Sequence, residues 1–384
     1  MNRPLIALLP ALLIAPLCAQ KIELTAKSSD QPQRFHIVTS FKTTDARKML
    51  INGEEPQFGG GGGRGFGGGG ETSLSQTIEF TEAPGNSWRE YTKLEAKVSR
   101  PGPDGEAREN AIEGALQGKK VFLRSAADGN LQLTEGEGKD AVEVDAALSR
   151  GVPAKVSLAG FLPGKTVTTG EKFEVAGFAA ALRGLVHPVT PERTQGGAGR
   201  GQGGRRQGGG QGGDQGGGQG GRGARGQGMR PGMGASNTAM ELLAAGKLKA
   251  ETEGKLVAVE DHDGRTIATI DITAKLSGKG KATDLGLSAG FGGRGMRGGR
   301  GGQGGGQGGD EGTDDAEAGF DIQGTILFDV KSQQVIGANL KGEVKVARAT
   351  KRTFPGRDGE EQKMESTVDT TGKFELEANC EAAK

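Results

Sequence analysis

The sequence predicts a mainly β protein: a curved antiparallel sheet or incomplete barrel with a few short helices, interrupted by three disordered glycine-rich loops. Three observations predict it. Apolar and polar residues alternate with period two over many segments, the mark of strands with one buried face. Dipeptides such as Asp128-Gly129 and Asp263-Gly264 separate several of these segments, and both residue types tolerate the positive φ of a tight hairpin turn. Of 73 glycines, 45 fall in the tracts 59–70, 196–234 and 290–312, which leaves the rest of the chain with an ordinary glycine content.

In chain order, strands are expected at Ile22 to Ala26, Phe35 to Phe41, Leu74 to Phe80 and Trp88 to Val98. Asp128-Gly129 joins a strand through Val121 and Leu123 to one through Leu131 and Leu133. The spacing over Val142 to Leu148 predicts a helix. Phe178, Ala181, Leu182 and Leu185 recur at i, i+3, i+4 and i+7 before Pro188, which predicts a second helix. A third covers Ala239 to Ala245, with Thr238 and Glu241 as a capping box and Gly246 as its C-terminal cap. Beyond it, Lys255 to Glu260 and Thr266 to Leu276 form a hairpin on Asp263-Gly264. The strand through Ile322, Ile326, Phe328 and Val330 turns at Lys331 to Gln334. It returns through Ile336, Ala338, Leu340, Val344 and Val346. A last strand carries Phe374, Leu376, Ala378 and Cys380.

Within the tracts glycine is accompanied by Gln and Arg, with almost no apolar side chain. Such segments bury too little surface to offset the entropy of ordering, and long loops are tolerated because closure entropy grows only logarithmically. The expected organisation is one discontinuous β domain, residues 20–195 and 235–384, around an insert at 196–234. Two smaller β domains also fit. The glycines show no every-third-residue period, which excludes a collagen-like helix.

Residues 1–19 read as a secretory signal peptide: Arg3, then an apolar run from Pro4 to Leu17 that is too short to span a membrane and holds Pro10 and Pro16. Cleavage is expected between Ala19 and Gln20. A lipid anchor through Cys18 is disfavoured, because Leu17 rather than a small residue precedes it. The mature chain then holds 48 basic and 48 acidic residues, so no global attraction to nucleic acid or an anionic membrane is implied. It keeps one thiol, Cys380, and cannot be an intramolecular disulfide scaffold.

The stretch Phe161-Leu-Pro-Gly-Lys-Thr-Val-Thr-Thr-Gly-Glu-Lys-Phe173, the strand pair with a central Asp-Gly turn and the late Gly324-Thr-Ile-Leu-Phe-Asp329 strand resemble a family of exported bacterial β-rich proteins of unknown function. The likeness covers Phe161 to the C-terminus. Where Phe173 stands, the family often has tryptophan. The resemblance implies export and β structure, and no activity.

No residue is assigned to catalysis, to a cofactor or to a metal. Gly286-Leu-Ser288-Ala-Gly290 matches the G-x-S-x-G string of serine hydrolases. It lacks a following helix and a downstream histidine, so Ser288 reads as loop entry. His36, His187 and His262 show no metal-ligand spacing, and Asp261 and Asp263 beside His262 read as an exposed turn. Asp310, Glu311, Asp314, Asp315 and Glu317 do not follow a calcium-loop spacing and read as a solvated charge run, loosely paired with Arg294, Arg297 and Arg300. Arg200, Arg205, Arg206, Arg222 and Arg225 resemble Arg-Gly-Gly segments of RNA-binding proteins. Their tract holds no aromatic residue for stacking, and export removes the RNA partner. The expected function is therefore an exported, non-enzymatic envelope or extracellular β protein with a structural or binding role and cell-envelope components as partners. The alternatives are a periplasmic carrier of an apolar ligand in the curved sheet and a carboxylate-dependent hydrolase.

Overall fold

Period-two alternation becomes sheet because every second side chain can be buried on one face while its neighbours stay in water. The computed structural model describes residues 20–55, 70–102, 106–125, 131–137, 141–145, 152–153, 156–186, 189, 235–287, 312–355 and 360–383. The expected signal peptide, nearly all of the three glycine tracts and the Asp128-Gly129 turn lie outside these residues. Two strands, β1 (Lys21–Leu24) and β9 (Lys165–Thr168), form a small antiparallel pair. The other strands among the described residues belong to one antiparallel sheet of 13 strands that does not close into a barrel.

That sheet begins at β10 (Lys172–Glu174) and runs through β11 (Lys249–His262), β12 (Arg265–Lys281), β13 (Thr313–Asp329), β14 (Gln334–Pro355) and β15 (Glu361–Ala382). β15 then pairs along its length with β2 (Gln33–Ile51), Ala382 opposite Gln33 and Met364 opposite Ile51. From there the order continues through β3 (Glu71–Glu82), β4 (Trp88–Pro101), β6 (Lys120–Ser125), β7 (Leu131–Glu135) and β8 (Val142–Glu143), with β5 (Ala107–Glu113) also paired to β4. Strands from both sides of residues 196–234 thus share one hydrogen-bonded sheet.

The hairpin turns follow the sequence. Asp263 and Gly264 both take positive φ, 49° and 78°, between β11 and β12, as a two-residue turn of matching twist requires. The short turns of the long strands (Glu82 to Trp88, His262 to Arg265, Asp329 to Gln334) lie at one end of the sheet. At the other end lie Ile51, Glu71, Lys281 and Thr313, the strand ends nearest the first and third tracts.

Curvature comes from glycines that the tract count hides. Gly324, Gly342 and Gly372 face inward on β13, β14 and β15 and step diagonally. Gly324 pairs with Leu340, two residues before Gly342; Gly342 pairs with Phe374, two residues after Gly372. A Cβ at these positions would collide with the carbonyl oxygens of Asn339, Asp321 and Lys42 respectively. Backbones approach too closely there for a side chain, which is how a sheet makes a tight bend.

Among the described residues two helices pack on the concave face. Helix α1 (Phe178–Leu185) buries Phe178, Ala181, Leu182 and Leu185, the expected stripe, and touches β11; α2 (Ala235–Ala245) touches α1, β2 and β3. Gly246, at φ 63°, ends α2 as expected of a left-handed cap. The capping box is corrected: α2 starts at Ala235, so Thr238 lies inside the helix rather than at its N-cap. The helix expected over Val142 to Leu148 is also corrected at its described start, because Val142–Glu143 pair with Thr134 and Glu135 as an edge strand; residues 146–148 lie outside the described residues. Hydrogen bonding to β7 outweighs a short apolar spacing there, as tertiary context commonly does.

Inside, Phe35 stacks on Phe80 with centroids 5.0 Å apart, Phe41 meets Phe374 at 5.2 Å, and Phe161 meets Phe178 edge-on at 5.4 Å. The core therefore joins both halves of the chain and the loop from Leu158 to Leu162.

Candidate functional site

Among the described residues, apolar alternation on the concave face gives way to charge at two places. Near the turn end, Arg89 of β4 is 0 % exposed and Glu82 of β3 is 4 % exposed. One Arg89 Nη donates to Glu82, and the other donates to the Tyr91 hydroxyl at 3.2 Å and the Pro153 carbonyl at 3.3 Å. The guanidinium also lies 4.7 Å from the centre of the Phe80 ring. Burial alone pushes Arg89 down, but Tyr91 and Glu82 more than offset it and hold it above its ordinary value, so it stays charged. A pair this enclosed has no room for a substrate. It fastens the β3–β4 hairpin to residues 152–153.

Cys380 is buried beside the same cluster. Loss of hydration, reinforced by Glu82 and Glu381, raises its thiol to about 12. A thiol held neutral is neither a nucleophile nor a ready disulfide partner. Cys380 serves as a small apolar side chain on the buried face of β15.

The second polar group lies toward the other end and is partly open, which makes it the candidate site. Arg348 of β14 grips Asp314 of β13 with both arms of its fork, Nε to Oδ1 at 2.7 Å and Nη2 to Oδ2 at 2.6 Å. Thr350 donates to the same carboxylate at 3.4 Å. The bond to Asp314 holds Arg348 above its ordinary value, and burial opposes the shift. The charges of Asp314 and of Glu241 on α2 add to it. Two strands away, Asp45 of β2 accepts from Thr370 at 2.8 Å and from Arg47 at 3.1 Å. Asp45 is 6 % exposed, whereas the side chains of Arg348 and Asp314 are 20 % and 23 % exposed.

This arrangement orients and neutralises charge. Asp45 shares a row with Thr370, Val346 and Ala318; Asp314 lies four residues further along β13 and three strands across. At about 3.3 Å per residue and 4.8 Å per strand these carboxylates stand about 13 Å by 14 Å apart along the sheet. Carboxylate pairs that share acid and base roles at a glycosidic bond stand within about 10 Å of each other. Asp45 and Asp314 are not brought together in that way.

The sequence-predicted residues are scattered. His36 lies on the outer face with its Nδ1 3.2 Å from Glu79, which also pairs with Arg34. His262 ends β11 opposite Arg265, and Asp261 accepts from Thr266 at 2.7 Å. His187, Ser288, Asp310, Glu311 and the tract arginines lie outside the described residues. Among the described residues no group of three His, Cys, Asp or Glu side chains could hold a metal ion. The solvated charge run is corrected in part: Asp314, Asp315 and Glu317 belong to β13, and Asp314 turns inward onto Arg348. Reading the run as solvated charge missed that its alternation continues the strand from Ala316 and Ala318. The Glu82–Arg89 pair gave no signal beyond an acid and a base either side of a short connection.

The concave face, where a carrier would hold an apolar ligand, is packed by Phe161, Phe178, Leu182, Leu242 and Leu243. On the outer face an open groove of about 580 Å³ crosses β11 to β14 between solvated side chains, among them Glu251, Glu253, Lys275 and Asp321. No helix among the described residues is long and apolar enough to cross a membrane.

No family model and no curated protein matches the chain. Among solved structures, OpdL of Pseudomonas aeruginosa aligns over 91 % of this chain and 98 % of its own, at 7 % identity and a TM-score of 0.10. That score does not establish a shared fold.

Proposed function

We propose that the chain is an exported, non-enzymatic β protein of the envelope or cell exterior that acts as a structural or binding module. The observation that carries this reading is that the sheet packs its own helices against its concave face. Contact with other molecules is thereby left to the outer face and the strand ends. The charged groups of the concave face are engaged with one another, which suits scaffolding better than proton transfer. The composition of the three tracts supports a binding role: they hold ten arginines against three acidic residues, a balance that favours anionic envelope polymers as partners.

The test is purification of the mature protein from its native envelope, with mass spectrometry of what co-purifies. A defined protein or anionic polymer, released by salt, is the expected result. A stoichiometric lipid would overturn the reading in favour of a carrier, and turnover of an envelope substrate by the purified protein would overturn the non-enzymatic assignment.

A further inference from the structure

We draw no further inference here: the strongest candidate, the end of the sheet that holds Ile51, Glu71, Lys281 and Thr313, depends for its chemistry on segments outside the described residues, and no described group there points to a ligand.

Discussion

Arg348 and Asp314 meet through two parallel hydrogen bonds, 2.7 Å and 2.6 Å long, across neighbouring strands, with Glu241 of α2 close enough to add to the field on the guanidinium. A planar fork on a carboxylate fixes orientation as well as charge. The pair is partly exposed, so its energy lies between that of a surface bridge and that of a buried one. In urea titrations, Arg348→Ala and Asp314→Ala should each cost about 1–2 kcal/mol, with a coupling of about 1 kcal/mol in the double-mutant cycle. A coupling near zero would show that the two side chains do not act as a pair. Arg348→Lys should recover only part of the loss, because an ammonium cannot make both bonds in one plane.

The buried pair predicts a larger effect. Glu82→Ala leaves Arg89 charged and without its carboxylate in the core, and should destabilise the protein by about 3–5 kcal/mol. Replacing both residues, as Glu82→Leu with Arg89→Met, should cost markedly less than Glu82→Ala alone. If the double variant proves the less stable of the two, the cluster contributes more than mutual neutralisation.

Glycine positions separate bending from tolerance. Alanine in a strand normally gains about 0.5–1 kcal/mol over glycine. Gly319→Ala, where a Cβ meets nothing within 4 Å, should therefore be neutral or mildly stabilising. Gly342→Ala must instead displace the backbone of β13 at Asp321 and Ile322 and should cost about 2–3 kcal/mol or prevent folding. Thermal unfolding of the two variants side by side distinguishes them, and equal midpoints would remove the glycine diagonal as the origin of the bend.

Cys380 sets a pH dependence. Its thiol titrates from an ordinary value of 9.0 to about 12 in the folded chain, so above pH 9 the unfolded chain releases a proton that the folded chain keeps. The stability linked to this group is fully present below pH 9 and falls as pH rises toward 12, by about 1.4 kcal/mol per pH unit for one proton. A Cys380→Ala variant should lose stability less steeply over that window. At pH 8, iodoacetamide should modify the thiol in urea and leave it untouched in the folded protein; rapid native labelling would place Cys380 at the surface.

Much of the fold was legible in short windows. Alternation placed the strands around Phe35, Ile78, Ile270 and Phe374, because a half-buried strand writes its burial directly into every second residue. Asp263-Gly264 and Gly246 announced a hairpin turn and a helix end because few residues accept positive φ. Where local signals compete, the reading failed. Thr238 resembles a cap, yet α2 begins earlier, and Val142 lies on a strand edge rather than in a helix.

An alternating β chain with short helices and three compositionally separate glycine tracts follows from the order of residues alone, since these features depend only on neighbours in the chain. Three features arise only in the folded chain: β15 lies beside β2, Gly324, Gly342 and Gly372 form one diagonal, and Asp314 leaves an acidic run to meet Arg348. All three share one cause: each is a contact between strands, set by register across the sheet. A register is chosen by the packing of whole faces, which no local pattern records.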